Sequence, residues 1–133
     1  MRFPLAAALV LVSGAAQADC THPAPVSFPA GATSVTIEDT PGVAITCYQL
    51  TAREGQRLTL SVTDDEHEAS LELYAPGWQA TCNADGDCEV SGDTLSEENE
   101  KSWADELPAS GVYLIVVDNP KSDADYRLIV ELR

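Results

Sequence analysis

The strongest constraint on this chain is a two-residue repeat of apolar side chains. Arg57-Leu58-Thr59-Leu60-Ser61-Val62 sets Leu58, Leu60 and Val62 on one side and Arg57, Thr59 and Ser61 on the other. Extended backbone sends successive side chains to opposite faces, so this run reads as a half-buried β-strand. Tyr126 to Leu132 repeats the pattern with Tyr126, Leu128, Val130 and Leu132 inward, and Ser70-Leu71-Glu72-Leu73-Tyr74 is a shorter instance. Val112-Tyr113-Leu114-Ile115-Val116-Val117 is apolar on both faces, as a strand covered on both sides must be. Val43 to Leu50 and Ser34 to Ile37 complete the set, with Val26-Ser27-Phe28 as an edge strand.

Turn chemistry separates these runs. Thr40-Pro41-Gly42, Arg53-Glu54-Gly55, Ala75-Pro76-Gly77, Pro108-Ala109-Ser110-Gly111 and Asp118-Asn119-Pro120 each combine residues that favour reversal. Short strands at this spacing predict an all-β fold: a single antiparallel β-sandwich, jelly-roll-like in form. Period-two alternation places Leu60, Val62, Leu71, Leu73, Tyr113, Ile115, Leu128 and Val130 in one core. The stretch from Gly92 to Glu106 breaks the pattern, with seven charged residues and little apolar content. A loop of that length in a compact domain is a functional candidate. Trp103 within it reads either as a lid folded onto the sandwich edge or as an exposed anchor rimmed by acids.

The first residues set the compartment. Arg2 gives a short basic start, Leu5 to Val12 is unbroken apolar, and Ala16-Gln17-Ala18 places small residues where a signal peptidase cuts. The run is too short to cross a bilayer of ~30 Å. The expectation is a leader at 1–18, removed on export to the periplasm or beyond, and one domain at 19–133 without a membrane anchor. Asp19 before Cys20 lacks the small residue that a lipoprotein signal needs. The four cysteines all follow the leader, and an even count in an oxidising space reads as two disulfides. Three pairings are open. Cys82 and Cys88 bracket the polar turn Asn83-Ala84-Asp85-Gly86-Asp87, which favours that local bridge and leaves Cys20 with Cys47. Chain entropy assigns about 2.4 kcal/mol to the short ring and about 3.6 kcal/mol to the long one.

Charge narrows the partners. The leader carries one of the seven basic residues and none of the 22 acidic ones, so six against 22 leaves −16. Nucleic acid and anionic membrane would repel such a chain, and a basic protein would be drawn to it.

Catalytic and metal signatures are missing. There is no Gly-x-Ser-x-Gly, no His-Glu-x-x-His and no phosphate loop. The Asn83 to Asp87 loop has its glycine too early for an EF-hand and lacks the closing glutamate. The Asp64-Asp65-Glu66-His67-Glu68 run reads as a solvated hairpin tip. No catalytic residue, metal ligand or cofactor is assigned.

Several segments then combine into a recognisable order. Pro25-Val26-Ser27-Phe28 is followed by Gly31-Ala32-Thr33-Ser34, and Tyr48-Gln49-Leu50-Thr51-Ala52-Arg53-Glu54-Gly55-Gln56 leads into Leu58-Thr59-Leu60-Ser61-Val62. Tyr74-Ala75-Pro76-Gly77, Leu107-Pro108-Ala109-Ser110-Gly111-Val112-Tyr113 and Ala124-Asp125-Tyr126-Arg127-Leu128 come later. This order resembles the small bacterial periplasmic inhibitors of g-type lysozyme and is similar to the pre-peptidase C-terminal β-sandwich domains of secreted proteins. It departs from the inhibitors at Asp118-Asn119-Pro120-Lys121-Ser122-Asp123, which is short and net acidic, with two aspartates to one lysine, where that family has a long arginine-rich segment. The four cysteines and the acidic 92–106 stretch are departures too. Ser110-Gly111-Val112-Tyr113 looks like the Ser-Gly…Tyr loop of lysozyme inhibitors, yet alternation turns Tyr113 inward.

The resemblance implies a binding protein rather than an enzyme: an acidic inhibitor of a basic, lysozyme-type hydrolase that acts by covering its cleft. Glu97, Glu98, Glu100 and Trp103 are the candidate contact residues. The rival readings are a stand-alone accessory module that binds a surface ligand or calcium, and a hydrolase built on a carboxylate pair.

Overall fold

The computed structural model describes residues 7–11, 20–39, 45–85, 87–120 and 125–133, with backbone alone for 7–11 and Asp39. Its elements are β1 (Ala7–Leu11), β2 (Ala24–Pro25), β3 (Ser34–Asp39), β4 (Ile45–Ala52), β5 (Arg57–Asp64), β6 (Ser70–Tyr74), β7 (Gln79–Cys82), β8 (Cys88–Ser91), β9 (Ser102–Glu106), β10 (Gly111–Asp118) and β11 (Tyr126–Leu132). Two sheets face each other, one ordered β1-β3-β11-β5-β9 and the other β2-β4-β10-β6, and β7 and β8 form a separate two-stranded arm. Pairing is antiparallel except for β1 with β3 and β2 with β4. The apolar run expected in the leader supplies β1, at the edge of β3.

The alternation read from the sequence sets the inner faces. Leu58, Leu60 and Val62 of β5 meet Tyr126, Leu128 and Val130 of β11 and Val35 and Ile37 of β3, with Tyr48, Leu50, Leu71, Leu73, Tyr113, Ile115 and Val117 from the other sheet. All eight residues assigned to the core are buried there. The hydroxyls of Tyr48 and Tyr126 hydrogen-bond across the sandwich, so each phenol keeps a polar partner inside the core.

Tyr113 is also fully buried. Its hydroxyl donates to the Ala109 carbonyl and accepts from the Ala109 N–H at 3.2 Å, which pins the turn before β10. Ser110 Oγ accepts from the Glu54 N–H at 2.9 Å and joins that turn to the β4–β5 loop. Gly111 has φ +146°, and a Cβ there would lie 2.8 Å from Pro76 Cβ, so the turn demands glycine.

Strand β10 lies between β4 and β6, and its second face is also covered. Leu114 and Val116 point outward into a smaller cluster with Cys20, Cys47 and Tyr74, closed by Trp78, Ala80 and Val90. The bridges are Cys20–Cys47 and Cys82–Cys88, as expected from the polar loop. The first lies in this outer cluster, with Cys47 inaccessible to solvent. The second joins opposed residues of the β7–β8 arm. Gly92 holds the arm down, since a Cβ there would come within 2.9 Å of Trp78 Cα.

Four local expectations need correction. The edge strand is Ala24–Pro25 rather than 26–28, although Val26 N–H still donates to the Gln49 carbonyl at 2.9 Å. Strand β4 runs on to Ala52; the expected start at Val43 and the turn role of Gly86 lie outside the described residues. Residues 64–68 link strands of different sheets and are not a hairpin tip. Asp64, nearly buried, accepts the Glu68 and Ala69 N–H groups at 3.0 and 3.1 Å and holds that arch. Finally, 92–106 is not all loop, because Ser102–Glu106 forms β9 on the edge of β5. Its three polar residues and single alanine hid a strand whose one partly buried side chain is Trp103.

Leu60→Ala and Leu128→Ala should each destabilise the fold by about 2–5 kcal/mol in chemical denaturation; losses under 1 kcal/mol at both would mean the faces are reversed. Cys47→Ala should cost more stability than Cys88→Ala. It opens the longer ring and empties a buried position, whereas Cys88 is exposed.

Candidate partner-binding face

The segment 92–106 straps the open side of the sandwich. Ala75 N–H donates to the Asp93 carbonyl, Leu95 N–H to the Leu73 carbonyl, Leu73 N–H to Ser96 Oγ and Leu71 N–H to the Glu100 carbonyl, at 2.7–2.9 Å. The outer edge of β6 is thereby satisfied. Val62 N–H then donates to the Lys101 carbonyl at 2.9 Å, and β9 continues along β5. The backbone of the strap seals one edge of each sheet, which an unprotected strand edge requires. Leu95 and Trp103 pack against the core, and the acidic side chains at the crest, Glu97 and Glu98, are left exposed.

The structure divides the four predicted contact residues. Glu97 and Glu98 are exposed at the crest, beside Asn99, whose φ of +59° turns the strap back. Glu100 is half-buried where its carbonyl binds Leu71. Trp103 goes elsewhere. Opposite Leu60 in the β5–β9 register, it packs partly buried on the main core, and its indole N–H donates to the Leu95 carbonyl at 3.2 Å. Its geometry is that of a lid that fixes the strap.

Glu98 instead meets residues that the sequence reading did not single out. On the outward face of the second sheet, one row across the strands is Ser70, Asp118 and Ile45, and the next is Glu72, Val116 and Cys47. The β7–β8 arm and Cys20 cover the far end of this face, and at the near end it stays open. There Ile45, Ser70, Leu71, Glu72, Glu98, Asn99, Val116 and Asp118 line a groove of about 190 Å³. Its walls carry three carboxylates, and Ile45 and Val116 supply the apolar part of its lining. Ile45 is 47 % exposed, one of two large aliphatic side chains left so open among the described residues. The alternation already put Glu72 and Val116 outward; the missing signal was their pairing across β6 and β10.

No basic side chain neutralises these acids among the described residues. Arg127 pairs with Glu38 at 2.8 Å, Arg133 with Glu131 at 2.7 Å, and Lys101 donates to the Ala69 carbonyl at 2.6 Å. Tyr74 donates to Glu72 Oε1 at 3.3 Å. Burial, then the Glu72 charge and this hydrogen bond, raise the Tyr74 phenol above its ordinary range. At the arm tip, Asn83 Oδ1 accepts the N–H groups of Asp85 and Asp87 at 2.9 Å, which orders that loop internally.

No family model matches the chain, and no curated protein matches it by sequence. Solved structures do. The periplasmic inhibitor of g-type lysozyme PliG from Aeromonas hydrophila superposes with a TM-score of 0.60 at 22% identity, over 96% of this chain and all of that one. PliG from Salmonella Typhimurium gives 0.53 at 22% identity, over 82% of this chain and 96% of that one. A mutant of the Escherichia coli PliG gives 0.53 at 16% identity, over 97% and 100%. The fold that the sequence resemblance implied is thus the fold observed.

Tyr74 offers a check on the outer face. A raised phenol pKa means the folded state holds its proton while the unfolded chain, near pH 10, begins to lose it. The associated stability is intact below about pH 10 and declines as pH rises above it. Tyr74→Phe should flatten that decline in melting scans between about pH 9 and 11, and Glu72→Gln should lower the Tyr74 midpoint in an ultraviolet titration.

Proposed function

We propose that this protein is exported, loses residues 1–18, and inhibits a basic lysozyme-type cell-wall hydrolase by occluding its substrate cleft. The observation that carries this reading is the likeness, over nearly the full length of both chains, to inhibitors of g-type lysozyme. Two disulfides suit an oxidising compartment. The net charge supports a basic partner, because an acidic surface steers cations over a Debye length of about 8–10 Å. Binding rather than bond cleavage is the role of the structural relatives.

In this reading the crest of the strap meets the partner. Glu97, Glu98 and Glu100 supply the charged rim, and Trp103 holds the strap in position beneath them. Rim charges act mainly on association, and a packed aromatic acts on stability or dissociation. Replacing Glu97, Glu98 and Glu100 together with Gln should slow association with a g-type lysozyme and flatten its salt dependence, with little change in dissociation. Trp103→Ala should lower the melting temperature. A large rise in dissociation rate without a stability change would make Trp103 a direct anchor. Surface plasmon resonance at low and high salt reads both rates, and no binding of c-, g- or i-type lysozyme at low micromolar concentration would defeat the proposal.

A further inference from the structure

We infer that the open groove at the near end of the β4–β10–β6 face is a receptor for an arginine side chain of the basic partner, a second contact that shares Glu98 with the acidic crest; the inference rests on the proposed function for its partner and on the groove for its chemistry. The apolar part is made by the outward side chains of Ile45 and Val116, and the walls by Glu72, Glu98 and Asp118. An arginine head matches this combination. Its flat guanidinium is weakly hydrated and lies comfortably on apolar surface, while its donors point outward in the plane toward carboxylates. A lysine ammonium is a compact, strongly hydrated charge that gains less from such a surface. A simple anion would be repelled, and an apolar side chain would strand three carboxylates in a closed interface.

Three features of the face support an occupant. The sheet is covered by the arm and by Cys20 over Leu114 and Tyr74, and that cover stops before Ile45. The carboxylates come from three separate elements, β6, the strap and β10, yet surround one cavity. Among the described residues, no salt bridge from this chain reaches any of them. The shape, the apolar step and the unmet negative charge are all complementary to one long cationic side chain.

Two measurements on the mature protein test the assignment. In the first, N-acetyl-argininamide is titrated into the isotope-labelled protein. The Ile45 and Val116 methyl signals should shift saturably, and N-acetyl-lysinamide should bind more weakly. Glu72→Gln with Asp118→Asn should weaken argininamide binding by about fivefold or more, and Ile45→Ser should weaken it without removing any charge. Shifts that do not saturate, that spread equally over the acidic surface, or that survive these substitutions would overturn the groove. The second measurement is lysozyme affinity of the same variants, with Asp87→Asn at the arm tip as a control that should bind normally. If argininamide binds in the groove and no lysozyme binds, the groove stands and the proposed function falls. If lysozyme binds wild type and the groove variants equally, the function stands and the groove falls.

Discussion

Everything on the second sheet follows from strand β10 being apolar on both faces. Its inner side chains, Tyr113, Ile115 and Val117, are buried by the opposing sheet. Its outer pair, Leu114 and Val116, needs separate cover, and a single sandwich layer does not supply it. The chain meets that need with small parts: Cys20 tethered to Cys47, the indole of Trp78, and the β7–β8 arm with Ala80 and Val90. Each part is too small to fold alone. Covalent bonds therefore do what contact area cannot, with one bridge fixing the N-terminal segment to β4 and the other closing the arm. The cover reaches as far as these parts extend and no further. Where it ends, Ile45 emerges beside Glu72 and Asp118, so the groove is a direct consequence of how the second face of β10 is buried.

The strap separates two jobs that sequence composition merges. Its backbone closes the free edges of β6 and β5, and its carboxylates take no part in that closure. A segment rich in Glu can therefore be structurally ordered without its charges being paired. Trp103 and Leu95 hold it to the core, and Glu97 and Glu98 at its crest are exposed to solvent. Concentrated negative charge on a fixed segment is more useful for steering a cation than the same charge spread over mobile loops. The cost is self-repulsion, which the small number of cations does little to relieve; exposed pairs such as Arg127–Glu38 contribute about 0–1 kcal/mol each.

Alternation made the sandwich and its core legible, because burial on one face leaves an apolar mark at every second residue. Leu58 to Val62 and Tyr126 to Val130 carry that mark plainly. Strand β9 does not, since only Trp103 of its five residues is partly buried and the others are an alanine and three polar residues left exposed. The pairing of Cys82 with Cys88 was readable from a turn, and the other bridge followed from it. The groove was not readable. Ile45, Glu72, Glu98 and Asp118 are far apart in sequence and meet only through strand register and the course of the strap. Glu97 and Glu98 were legible as exposed acids, whereas Glu100 and Trp103 have backbone and core duties that composition hides.

The fold likeness also limits where a partner can be engaged. A Ser-Gly-Val-Tyr turn at 110–113 looks, in sequence, like a loop that could insert into an enzyme cleft. In this chain its tyrosine is spent: Tyr113 is buried and its hydroxyl is held by Ala109 on both donor and acceptor sides. Ser110 is likewise used to bind the neighbouring loop. Withdrawing either would release the turn that starts the central strand. A partner contact is then better sought where side chains are not already committed to the fold. The crest of the strap and the open end of the β4–β10–β6 face meet that condition, and they are adjacent because Glu98 belongs to both. A basic surface drawn to the crest would arrive with the groove at its margin, so steering and side-chain recognition would act in sequence on one face.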